Sequence, residues 1–356
     1  MARSTYLALA AQRHRLPIGV DLVLRRHADH EAILTDGERL GRVIAEAAAE
    51  FQTPLAFPLM DLKLEKATLL SFFDVPAADS DSFHFTEAPS AEAVARFESA
   101  LASSRPSPRV AANLGALRYI TGQTTLLPVG MSIGPFSLAT KLLADPITPV
   151  YLAGDGATAA DEPEVGLLET ALRLALATVR HAIRQQLDAG ARAIFIAEPA
   201  ANKVFFSPKQ IAGGSNVFDR FALAPNRAIA AQLVAREADL LFHCCGELVD
   251  AMLDGFCSLR PALLSLGSSR RLWEDAARVP KDIVLYGNLP SKQFYSDSVM
   301  PLEKVGAQAG ELLARMRQVG HPFILGTECD TLHVDGCDDA IRAKVAHLLR
   351  IPEPAA

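Results

Sequence analysis

The amino-acid sequence predicts an α/β protein built as a single-domain (β/α)8 TIM barrel, on three observations. Short apolar runs alternate with longer segments whose apolar residues recur at helical spacing, about eight such runs fit within the 356 residues, and no linker or internal repeat divides the chain. Strands that alternate with helices and read as continuous apolar runs belong to a parallel sheet covered on both faces. Roughly eight of them over this length favour closure into a barrel over an open doubly wound sheet. No G-x-G-x-x-G or Walker-type turn follows any run, so the usual nucleotide signatures of the open sheet are missing. The expected layout is an N-terminal helix over 1–15 and a barrel over 16–350, in one domain spanning 1–356.

Each element has its own justification. "PIGVDLVL" (17–24) is the first expected strand, and "GERLGRVIAEAAAEF" the helix after it; "PLAFPLM" (54–60) is the second strand. "SAEAVARFESALASS" reads as a helix capped by Ser90, leading to a third strand near "TLLPVGM" (125–131). The clearest unit comes next. Leu168, Leu172, Leu176, Val179, Ile183 and Leu187 lie three or four residues apart, Gly190 stands where a helix would stop, and "AIFIA" (193–197) follows as a buried strand. The same helix-then-strand step recurs as "RAIAAQLVARE" before "DLLFH", "ELVDAMLDGF" before "ALLSL", "RRLWEDAARV" before "DIVLYG", and "EKVGAQAGELLARMRQVG" before "PFILGT". "AGDGATAADEPEVG" (153–166), small and acidic, is expected as a flexible loop or lid.

Composition narrows the function. Thirty-five Lys and Arg against 41 Asp and Glu give a net charge of −6, without the basic stripe that a nucleic-acid backbone requires. The apolar piece after Arg3 is broken by "QRHR" too early for a secretory core or a membrane span, so a cytoplasmic location is the default expectation. In a reducing compartment the five cysteines, Cys244, Cys245, Cys257, Cys329 and Cys337, point to metal binding or redox chemistry ahead of a disulfide framework.

The stretch "LLFHCCGEL" (240–248) carries the chemistry. With "DLLFHC" as the fifth strand, His243 and Cys245 point to one side at its C-terminal end and Cys244 to the other. In a parallel barrel that end is the face where active sites are built. An imidazole and a thiolate at the mouth, with Gly246 letting the chain turn away, make half of a tetrahedral site of the kind zinc favours. Cys329, directly after the last strand, is the best third ligand, and three protein ligands with a free fourth position is the arrangement of a catalytic zinc. His333 and Cys337, in the polar loop beyond it, are weaker alternatives; Cys257 reads as packing. Singly, each of the three residues is better explained by strand-end hydrogen bonding or packing; together, at two strand ends of one barrel, they point to a metal.

With those residues in place the chain resembles the corrinoid-dependent methyltransferases, of methylcobamide:coenzyme M type, within the uroporphyrinogen decarboxylase superfamily. H-x-C with a further cysteine some eighty residues later is similar to their zinc signature. "FPLMDLKLEKATLL" (57–70), "GMSIGPFSLATKLL" (130–143), "IFIAEPAAN" (194–202) and "LYGNLP" (285–290) are similar to family segments in family order. The setting of Cys329, "GTECDTL", departs from the family's G-C-E-I-P; Glu198-Pro199 replaces Asp-Pro; and "RRHADH" (25–30) stands where the decarboxylase branch has an R-Q-A-G-R-Y element.

The resemblance implies a methyltransferase with Zn2+ on His243, Cys245 and Cys329, moving a methyl group between a corrinoid and a thiol or tetrahydrofolate acceptor. Because no D-x-H-x-x-G segment is present to hold a corrinoid's lower ligand, the methylcobamide is expected to arrive on a separate corrinoid protein. Asp61, Glu65, Glu198 and Asn288, near strand ends, are candidates for orienting substrate, and each is equally readable as a loop cap or ion-pair partner. No nucleic-acid or membrane partner is implied, and a homodimer is compatible with the sequence. Two other readings stay open: a metal-free porphyrinogen decarboxylase, and a non-catalytic docking partner for a corrinoid protein.

Overall fold

A computed structural model describes residues 3–352. Eight parallel strands form one sheet: β1 (Arg15–Leu16), β2 (Leu55–Ala56), β3 (Leu127–Ile133), β4 (Ala193–Ala197), β5 (Asp239–Cys244), β6 (Leu263–Leu266), β7 (Val284–Leu289) and β8 (Phe323–Thr327). Their order is β1-β8-β7-β6-β5-β4-β3-β2, the sequence of neighbours that a (β/α)8 barrel produces. Alternation within the strands separates two apolar layers. Leu16, Leu55, Val129, Phe195, Leu241 and Ile324 point inward and fill the barrel, while Ile194, Phe242, Cys244 and Leu264 point outward against the helices. The Tyr286 hydroxyl crosses the interior to donate to the Leu16 carbonyl at 2.7 Å, tying β7 to β1.

Helix limits follow local chemistry. Ser90 accepts from the Ala93 N–H and caps helix Ala91–Ala102 as expected. The long helix Pro163–Asp188 begins with a proline in its first turn and stops before Gly190, whose φ of 107° suits glycine. N-terminally, helix Arg3–Ala11 falls within the expected 1–15; residues 1–2 lie outside the described residues.

The first strand is a correction. Residues 17–24 form no strand: β1 lies just ahead at Arg15–Leu16, and Val20–Leu24 form a short buried helix. A brief, largely apolar run has the same composition whether it is a strand or a buried helical turn, and periodicity cannot separate the two. The second run is extended in the ladder only at Leu55–Ala56, where Pro58, lacking an N–H, stands just beyond. The expected loop at 153–166 is shorter, since helix Ile147–Gly154 and helix Pro163–Asp188 take its two ends. "RRLWEDAARV" keeps only Leu272–Asp275 as α-helix. Among the described residues no helix is long and apolar enough to cross a membrane.

Candidate metal centre

His243 occupies the last inward-facing position of β5, one layer above Leu241, and is only 2% exposed. Its ring stacks on Phe195, with centroids 5.5 Å apart and 28° between planes. Ser265, its ladder neighbour on β6, lies with Oγ 2.8 Å from Nδ1. That bond fixes the ring orientation and leaves Nε2, which is buried and has no hydrogen-bond partner. A buried imidazole nitrogen without a partner is costly unless something else occupies it.

Cys245 and Cys329 supply that something's other contacts. One ligand atom each from His243, Cys245 and Cys329 come to within 4.8 Å of one another, among the described residues the only such group of three His, Cys, Asp or Glu side chains. The hydrogen bond from the Cys329 thiol, opposed by burial and aided by His243 and Lys292, holds Cys245 far below the usual thiol range. The same bond, together with burial, pushes Cys329 far above it. One imidazole nitrogen and two sulfurs are a donor set that zinc accepts, and the orphaned Nε2 completes the fit.

The backbone here is tightly built. Gly246 has no positive φ; it is needed because a Cβ would collide with the side chain of Asn202 at 2.5 Å, so close approach replaces the expected turn as the reason for glycine. Asn288 donates from Nδ2 to the carbonyls of Gly267 (2.8 Å) and Arg270 (2.9 Å), holding the loop after β6 where Gly267 abuts the Cys245 backbone.

The other nominated residues lie elsewhere. Glu198 is fully buried and accepts from the N–H groups of Phe136 (3.3 Å) and Ser137 (2.6 Å) and from Asn226 (2.9 Å), fastening the end of β4 to helix Pro135–Thr140. Asp61 pairs with Arg109 at 2.7 Å. Glu65 is buried behind β3, accepting from Ser132 at 2.6 Å. His333 is held between Asp335 and Asp338, each at 2.8 Å, and Cys337 precedes helix Asp338–Arg350; neither joins the cluster. Cys244 and Cys257 pack in the outer core, and all five cysteines are free. Arg25 and Arg26 are engaged with acidic neighbours, Asp21 and Glu31 for the first, Glu46 and Glu50 for the second.

Three residues escaped sequence reasoning. Ser265 left a trace, as the one polar residue in "ALLSL". Lys292, on the single turn Ser291–Gln293 whose Ser291 hydroxyl bonds the Cys329 carbonyl, looks in sequence like any surface lysine. Burial works against its charge, but Cys245, Cys329 and Glu328 outweigh it and raise its pKa. Asp330, directly after Cys329, is buried with neither carboxylate oxygen hydrogen-bonded; burial, then the nearby Asp21, pushes it up to about 7.

Fold and site together define a (β/α)8 barrel with a candidate His-Cys-Cys metal centre at the C-terminal mouth. The chain belongs to the uroporphyrinogen decarboxylase (URO-D) family, whose model matches residues 83–335. Among solved structures it is similar to a methyltransferase from Methanosarcina mazei, at 17% identity over 97% of this chain and 98% of that one, with a TM-score of 0.65. At that identity the likeness is one of fold. No curated protein matches the sequence.

Proposed function

We propose that the protein is a zinc-dependent methyltransferase that moves a methyl group between a corrinoid carried on a separate protein and a thiol or tetrahydrofolate acceptor. The observation that carries this reading is the convergence of His243 Nε2, left without a partner, with the sulfurs of Cys245 and Cys329 at the barrel mouth. Membership of the URO-D family and the methyltransferase among its structural neighbours support it.

In this reading His243, Cys245 and Cys329 hold the metal, with the fourth position free for the acceptor. Bound zinc would supply Lewis acidity, making an acceptor thiol ionise near neutral pH. Ser265 keeps Nε2 of His243 directed at the site. Lys292 places a positive charge beside the sulfurs, where an ionised acceptor would add a third negative charge to two thiolates. Transfer forms the bond from acceptor sulfur or nitrogen to the methyl carbon, leaves the electron pair of the broken cobalt–carbon bond on the corrinoid, and releases the acceptor's proton to solvent. The barrel's part is to hold acceptor and methyl carbon in line.

Metal analysis of the purified protein is the first test, with about one equivalent of zinc expected, lost in His243→Ala or Cys245→Ala. Absorbance of methylcobalamin is then followed with a panel of thiols and tetrahydrofolate. A folded protein that takes up no metal would overturn the zinc reading; a spectrum unchanged by every acceptor would overturn methyl transfer.

A further inference from the structure

Asp61 and Glu65 border a cavity of about 60 Å³ whose lining includes none of His243, Cys245 and Cys329. Its origin is a gap in the sheet. β2 and β3 pair only at Leu55–Leu127 and Ala56–Pro128, so the edge of β3 beyond them has no strand beside it. The carboxamide of Gln186 substitutes for that strand: its Oε1 accepts from the Met131 N–H at 2.7 Å and its Nε2 donates to the Met131 carbonyl at 2.9 Å. One side chain satisfies the backbone without filling the space that a strand's side chains would occupy. What remains is walled by Leu117, Ile120, Val129 and Ala182.

One residue of this wall, Glu65, carries a polar atom with nothing to bond. Glu65 is 5% exposed; one oxygen accepts from Ser132, and Oε2 is buried without a partner. Neither Arg109 nor Lys141 reaches it. Arg109 is engaged by Asp61 and the Leu34 carbonyl, and Lys141 by the Leu62 carbonyl at 3.0 Å. Burial pushes the Glu65 carboxyl up to about 7, in keeping with an acceptor that lacks its donor. By the volume that one water needs, about 60 Å³ holds roughly four to six non-hydrogen atoms.

We propose that this cavity is a small-molecule site, separate from the metal centre, for a compact and mostly apolar molecule whose head is a hydrogen-bond donor, hydroxyl or ammonium, received by Glu65 Oε2. The proposal stands independently of the methyl-transfer reading.

The test is calorimetric titration of the full chain, at about pH 8.5, where a carboxyl is mainly ionised, with three probes of equal size: cyclopentanol, cyclopentylamine and cyclopentanone. The alcohol or the amine should saturate one site at least about tenfold more tightly than the acceptor-only ketone, and the tighter of the two identifies the head group. Glu65→Met should erase that preference. Ala182→Phe, filling the cavity from its partly exposed helix, should abolish binding while the protein stays folded. Equal affinity for all three probes, saturable binding of none, or binding untouched by Ala182→Phe would each overturn the proposal. Ala182→Phe keeps it falsifiable even if Glu65→Met fails to fold, and zinc content is the control that separates this outcome from that of the metal reading.

Discussion

Replacing Ser265 with alanine tests whether His243 is held for a metal. Ser265 is fully buried, and its Oγ lies 2.8 Å from His243 Nδ1. Loss of the hydroxyl leaves a buried ring nitrogen unsatisfied at a cost of about 1–3 kcal/mol and frees the imidazole to reorient. If that whole penalty falls on the metal-binding orientation, affinity drops by roughly 5- to 150-fold, since about 1.4 kcal/mol is tenfold; outer partners of metal-binding histidines affect affinity by about 10–100-fold. Competition between the protein and a chromophoric chelator gives the zinc Kd directly. The expected result is one zinc per chain, bound 10–100-fold more weakly, in a protein that still unfolds cooperatively. Cys244→Ala is the control: it is adjacent in sequence but its sulfur packs outward near the Ala201 carbonyl, so it should change stability without changing zinc affinity. A Ser265→Ala protein that is folded and binds zinc as the parent does would refute the orienting role.

Cys329→Ala should abolish stoichiometric zinc binding whereas Cys337→Ala should retain it, as read by metal analysis; the reverse pattern would move the third ligand into the loop. Glu198→Ala should destabilise the protein by about 3 kcal/mol or more, because two backbone N–H groups and the Asn226 amide lose one buried acceptor, measured as a shift in the urea midpoint. His333 should make stability pH-dependent. Asp338 first, then Asp335, raise its folded pKa, so its contribution is complete below the unfolded value of about 6.5 and is lost as pH rises through the folded value. The drop in urea midpoint across that window should shrink in His333→Gln, and identical profiles would refute it.

Legibility in the sequence followed local information. β4 and β5 coincide with "AIFIA" and "DLLFHC" because each follows a helix-period segment directly and carries a short apolar run, with Gly190 marking the stop before β4. The first strand failed because its signal was only two residues long, Arg15–Leu16, while the longer apolar run beside it was a buried helix. Glu65 was assigned to the strand end after β2, but the helix Leu64–Leu70 carries it behind β3 to Ser132, a contact between residues 67 positions apart that no local pattern encodes.

The metal cluster depends on the curl of the sheet in a way that strand ends alone do not. β5 and β8 are not neighbours; β6 and β7 lie between them. In a flat sheet three steps of about 4.8 Å would separate their ends by roughly 14 Å, far more than the 4.8 Å that spans the ligand atoms. Only a sheet that curls brings an inward-facing His243 and Cys245 opposite Cys329, two residues past Thr327. That geometry also chooses among the sulfur and nitrogen candidates of the last loop: Cys329 leaves β8 at the mouth, whereas His333 is already fixed by two carboxylates. A corollary concerns the barrel's filling. Phe195 both packs inside it and stacks on His243, so a smaller side chain there should loosen the curl and the imidazole together, weakening zinc binding although no ligand has been touched.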